Sequence, residues 1–145
     1  MTVMLQREVV ERIGARPGGK DYGYLSVLVQ FYCEVDRLFE VPSGAFRPAP
    51  KVHSSVVRLR TRVKPAVVVS DESLFLTLIQ VIFSQRRKTI LNNLRAGLDR
   101  LGLAGIDQLE ASLSGCGIDI QRRAETLAIS EIAQLSDGVA ELKKL

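Results

Sequence analysis

The stretch FSQRRKT, residues 83–89, ends a largely apolar run (74–83) on three successive cations, Arg86, Arg87 and Lys88. Guanidinium and ammonium groups bind phosphate through charge-assisted hydrogen bonds. With Ser84 as N-cap, the spacing predicts that these cations open a helix, where unpaired N–H groups already favour an anion. Each exposed cation there costs about 0.3–1 kcal/mol, which a phosphate partner would offset. Solvation, or pairing with Asp71, Glu72 or Asp99, is the other reading. Phe46, in AFRPAPKV, offers different chemistry. Pro48 and Pro50 fix φ and push the residues before them extended. A stiff loop of this kind can hold an aromatic ring outside the core, as a face for an unstacked base; the alternative is that the ring fills the gap under its own loop.

Arg95 extends the first basic group, and Arg122 and Arg123 form either a second one or a cap on the tail loop. Lys51, Arg58, Arg60, Arg62 and Lys64 recur over 51–64. Arg58, Arg60 and Arg62 share a face by two-residue alternation, and the preferred reading is the charged outer side of an edge strand. His53 reads as a loop packing residue. No Ser/His/Asp set, metal cluster or pair of catalytic carboxylates can be assembled. Cys33 and Cys116 lie far apart without CxxC spacing, and are expected to be reduced thiols of a cytoplasmic protein.

These residues need elements to hold them. The segment 2–6 reads as a buried inner strand of a parallel sheet, with both faces covered. One or two helical turns follow, stopped by Gly14 and a Pro17-Gly18-Gly19 loop. The segment 24–33 is apolar on most sides and reads as a buried helix, although periodicity alone leaves a strand open. Strands are expected over 36–41 and 54–62, antiparallel to each other. Beyond 61–73 the chain reads as all helix. Ser70 is the expected cap of a buried helix reaching Phe83. On the next helix Arg87, Leu91, Leu94 and Leu98 line up beside a wet stripe of Lys88, Asn92, Arg95 and Asp99. Further helices are expected near 108–113, ended by Gly115-Cys116-Gly117, and over 130–142.

The chain has 145 residues, 46% hydrophobic and 25% charged, with formal net charge +4. Such a composition excludes a disordered chain, and the apolar runs fall far short of the roughly 20 residues that cross a bilayer. The positive balance favours an anionic partner such as RNA or DNA. So few strands do not make an independent sheet, and a fragment is expected: the C-terminal strands of an α/β protein (1–64) followed by a helical domain (65–145). A self-sufficient α+β domain with a small antiparallel sheet is the alternative.

The phrases MLQREVVERI, YGYLSVLVQFYCEV, VPSGAFRPAPKVHSSVVRL, FSQRRKTILNNL and GIDIQRRAETLAISEIAQL stand in an order that resembles the small-subunit rRNA adenine N6,N6-dimethyltransferases, the KsgA/RsmA family. The resemblance covers almost the whole chain. It implies the last three strands of an incomplete Rossmann-like methyltransferase sheet, the final one antiparallel, then a small helical domain. It further implies transfer of methyl groups from S-adenosylmethionine to two adjacent adenines of 16S rRNA during small-subunit maturation. Phe46 then flanks the target adenine, and Arg86, Arg87, Lys88, Arg95, Arg122, Arg123 and Lys51 become candidate rRNA contacts.

The departures bear on activity. A GxGxG cofactor loop, the acidic ribose-binding residue and the Asn/Asp-Leu/Ile-Pro-Tyr/Phe target motif are not in this sequence, so no cofactor residue transfers to it. Ala128 stands where a Ser often caps the last helix, and Thr126 or Ser130 is expected to take over. The chain is therefore expected to be inactive alone and to bind no S-adenosylmethionine. The other class of function is a stand-alone, non-catalytic rRNA-binding or ribosome-assembly module. Self-association through an exposed sheet edge is compatible with either.

Overall fold

The computed structural model describes the backbone of residues 1–145 and every side chain except those of Ile106, Gln108 and Ser112. The element order is β1 (Thr2–Gln6), α1 (Arg7–Ile13), α2 (Tyr24–Tyr32), β2 (Cys33–Val41), β3 (Ser54–Thr61), α3 (Glu72–Ile82), α4 (Ile90–Ala96), α5 (Leu98–Leu101), α6 (Ile106–Leu113) and α7 (Ile129–Lys143), with short 3-10 turns at Ser43–Ala45, Ser114–Cys116 and Ala124–Thr126.

The strands lie in the order β1-β3-β2, with β3 antiparallel to both neighbours. The antiparallel pairing of the last two strands is as expected. Two expectations need correction. First, within this chain β1 pairs only with β3 among the described residues, and its two faces are not both covered: Val3 and Leu5 face α1, while Thr2, Met4 and Gln6 are exposed, with Met4 at 50%. Second, β3 is central, so its arginines do not blunt an edge. Arg58 and Arg60 instead face Asp36 and Glu34 on β2, at 3.6 Å for Arg58–Asp36 and 3.2 Å for Arg60–Glu34. Opposite charges directly across a sheet face stabilise the pairing by about 0.2–1 kcal/mol.

Two apolar cores form. The smaller has Val10, Ile13 and Val57 at its centre, between α1 and the sheet. The larger gathers α3, α4, α6 and α7, and also takes in Tyr22, Val27 and Phe31. α2 lies between them: Leu25 and Val29 pack on the sheet core, Leu28 and Tyr32 on the helical core. That position explains why the segment is apolar on most sides, and it carries the larger core across the expected junction near residue 64. Phe31 stacks on Phe75 at a centroid distance of 4.6 Å.

The helical half differs from expectation at its caps. Asp71, not Ser70, caps α3 by accepting from Leu74 N at 3.0 Å, and Ser70 Oγ instead donates to Asp137. α7 starts after Ala128 with neither Thr126 nor Ser130 capping it; Glu131 reaches back to accept from Ala128 N at 3.1 Å. This is the reciprocal half of a capping box, and it serves without a hydroxyl at the cap. Gly97 separates α4 from α5, and a β-carbon there would meet Val81 Cγ1 at 2.5 Å.

Candidate nucleic-acid interface

α3 ends at Ile82, and residues 83–89 form a compact turn. Ser84 Oγ donates to Val81 O at 2.7 Å, closing the helix end. Asn93, only 1% exposed, donates through Nδ2 to Ile82 O at 2.7 Å and to Gln85 O at 3.1 Å. Thr89 then caps α4 by accepting from Asn92 N at 3.2 Å. Arg86, Arg87 and Lys88 therefore precede the helix and do not open it. Ser84 is not its cap, and Arg87 and Lys88 do not continue the stripes of Leu91 and Asn92. Ser84 and Thr89 are both good caps by residue type, and only Thr89 has the geometry.

The three cations divide. Arg86 is engaged: its Nε lies 2.9 Å from Glu125 Oε2, and its terminal nitrogens donate to Tyr22 O at 3.3 Å and Gly19 O at 3.4 Å. Glu125 Oε2 lies off the N–H direction, so that contact is ionic, not a hydrogen bond. Arg87 and Lys88 are exposed and make no ion pair among the described residues.

Segment 119–126 lies against this turn. Ile90 N donates to Arg122 O at 2.8 Å and Leu91 N to Ile120 O at 2.9 Å. These bonds satisfy early N–H groups of α4 that have no partner within the helix. Arg122 turns inward, 2.6 Å from Glu131, and donates to Thr126 O at 2.8 Å. That is the capping alternative. It holds the Glu131 carboxyl below its usual range, first through the Arg122 hydrogen bond and then through Ala128 N. Arg123 is exposed and makes no ion pair among the described residues. Arg95 is paired with Glu110.

Lys51 stands apart, in a hollow of about 340 Å³ lined by Gln6, Arg7, Glu8, Glu11, Val52 and His53. His53 is exposed, so it does not pack; its carbonyl accepts from Arg7 N at 3.0 Å. This hollow sits at the carboxyl end of β1, where α/β sheets seat ligands. Gln6 passes directly into α1 with no glycine turn, and Gln6 makes no side-chain cap. Phe46 follows the 3-10 turn Ser43–Ala45, with its N–H on Ser43 O at 3.3 Å. Its ring is half-buried and belongs to neither apolar core among the described residues.

Sequence reasoning missed Glu125, Asn93 and the hold of Arg86 on the RPGGKDYG loop. An Asn on the apolar side of an otherwise leucine-lined helix, and a tyrosine after a glycine-rich loop, were the available signals.

The model of the family described as "Ribosomal RNA adenine dimethylase" matches residues 1–141. The chain is 47% identical to a "Ribosomal RNA small subunit methyltransferase A" of Geobacillus kaustophilus over 98% of its own length and 48% of that protein. It is 49% identical to the protein of the same description from Anoxybacillus flavithermus, over 94% and 46%. The chain thus spans about half the length of these curated relatives. Among solved structures, a dimethyladenosine transferase from Plasmodium falciparum superposes with TM-score 0.74 at 20% identity, covering 92% of this chain and 54% of that one. The 23S rRNA methyltransferase ErmE superposes with TM-score 0.59 at 22% identity, covering 96% and 54%. With a family match over nearly its whole length and relatives this similar, the chain belongs to the ribosomal RNA adenine dimethylase family, in its KsgA/RsmA branch.

Proposed function

We propose that this chain is the rRNA-docking and target-flanking portion of a 16S rRNA adenine N6,N6-dimethyltransferase. In this reading β1, β3 and β2 are the last strands of a Rossmann-like sheet, residues 65–145 form the docking domain, and the parent protein acts in small-subunit maturation in the cytoplasm. The observation that carries it is the pairing of near-complete coverage of this chain with about half coverage of its relatives. S-adenosylmethionine supplies the methyl group in the parent, and the residues that would hold it lie outside this sequence. The chain's own residues do two things. Arg87, Lys88 and Arg123 offer exposed cations to RNA phosphates, which fixes register without reading sequence. Phe46 offers a ring for one face of the flipped adenine.

The unpaired edge of β1 is where the parent's remaining strands would join, and a second copy of the chain is the competing occupant. Sedimentation of the chain with ribosomal subunits tests the proposal. Binding to small subunits carrying unmethylated adenines, with weaker binding to large subunits and no methyl transfer, is expected. Equal or absent binding contradicts docking, and methyl transfer by the chain alone contradicts the division of labour.

A further inference from the structure

The loop of residues 14–23 is pinned at four points. Ala15 O accepts from Gln30 Nε2 at 2.8 Å. Gly18, at φ +86°, donates its N–H to Glu125 O at 2.7 Å. The carbonyls of Gly19 and Tyr22 accept from Arg86. Tyr22, fully buried, donates its hydroxyl to Leu127 O at 2.8 Å and meets Phe83 edge-on. Burial also pushes the Tyr22 phenol far up, so it stays a neutral donor. The loop is thereby fastened to both segments that carry Arg87, Lys88 and Arg123, and Arg86 is the joint between them.

What this loop presents outward is basic. Lys20 forms the shared wall of two hollows, one of about 340 Å³ with Arg12 and Arg86, the other of about 660 Å³ with Arg16 and Arg37. Arg12, Arg37 and Arg86 are neutralised by Glu8, Glu40 and Glu125. Arg16 and Lys20 are exposed and make no ion pair among the described residues. Asp21 lines both hollows and Glu11 the larger; Glu11 is 3.7 Å from Arg7. A fixed loop loses little ordering entropy when its cations meet a ligand.

We infer that Arg16 and Lys20 form a second phosphate-contacting face, which takes the RNA backbone beyond the strand segment held at Arg87 and Lys88. The inference rests on the docking reading above and adds residues to it. The two cations neutralise backbone phosphates and carry no base preference.

The test is fluorescence anisotropy of the full chain with a labelled 16S rRNA transcript that carries the two adjacent target adenines, read at several salt concentrations. Wild type is compared with Arg16→Ala/Lys20→Ala and with Arg87→Ala/Lys88→Ala. Each pair that neutralises two phosphates should flatten the log–log salt slope by about 1.4–1.8. The charge-retaining Arg16→Lys/Lys20→Arg variant should keep the wild-type slope, and it separates lost charge from a disturbed loop. A flattened slope for Arg87→Ala/Lys88→Ala, with an unchanged one for Arg16→Ala/Lys20→Ala, overturns this inference and leaves docking standing. A wild-type chain with no salt-dependent binding overturns docking itself. If Arg16→Ala/Lys20→Ala loses its circular dichroism, the single Lys20→Gln decides: half the flattening supports the face, none overturns it.

Discussion

Arg86 Nε stands 2.9 Å from Glu125 Oε2, so the first cation of the RRK run is engaged by the protein itself. The same guanidinium holds two carbonyls of the 14–23 loop, which makes it a joint between three loops. Arg86→Ala should therefore destabilise the chain by about 0.5–1.5 kcal/mol, the range of ordinary net hydrogen bonds. Arg87→Ala and Lys88→Ala should stay within about 0.5 kcal/mol. Urea midpoints of the three variants check this. Equal midpoints would show that the contacts of Arg86 add no stability.

Gly97 is set by a close approach. Its β-carbon position lies 2.5 Å and 2.9 Å from the two methyls of Val81, a stiff side chain on a buried helix. Gly97→Ala should cost about 1–3 kcal/mol through overpacking. Adding Val81→Ala should recover part of that loss, since it removes both methyls in contact. A double-mutant cycle on thermal or urea unfolding measures the coupling, and additive losses would contradict the contact.

Stability should depend on acid through Glu131. Its folded-state pKa is lowered by Arg122 and by Ala128 N, so the unfolded state holds the proton more tightly. The contribution is therefore complete above the unfolded carboxylate range, about pH 4–5, and is lost as pH falls through the lower folded value. Glu131→Gln keeps an acceptor for Ala128 N but removes the charge. The stability gap between wild type and variant should be constant at neutral pH and narrow below about pH 4. A gap that holds unchanged into acid would contradict the assignment.

The secondary-structure pattern was largely readable because α7 and β3 follow their periods and an acidic cap marks the start of the apolar α3. α2 was ambiguous for a physical reason: packed between two cores, it shows no polar face. The central place of β3 was hidden because strand order is a tertiary property, and Arg58, Arg60 and Arg62 look alike on an edge or beside an acidic neighbour. At the candidate site the residue types were legible and their division was not. Arg86, Arg87 and Lys88 are equivalent as letters, and only the fold brings Glu125, 39 positions away by subtraction of the residue numbers, to one of them.

Phe46 can be tested where the rest of a relative's sequence precedes this chain. Phe46→Ala should lower adenine methylation by the loss of one stacking face, about 1–3 kcal/mol, with small-subunit binding retained. Single-turnover methylation of unmethylated small subunits reads the effect. An unchanged rate would mean that the ring only fills its own loop.

The most direct test of docking is the affinity of the chain for unmethylated small subunits over a range of salt, for wild type and for Arg87→Ala/Lys88→Ala. Arg86 is left in place so that the loops stay joined. If these two cations neutralise RNA phosphates, affinity falls and the salt slope flattens by about 1.4–1.8 while circular dichroism is unchanged. A folded variant with wild-type affinity and slope would show that the cations face only water, and the docking account would be wrong.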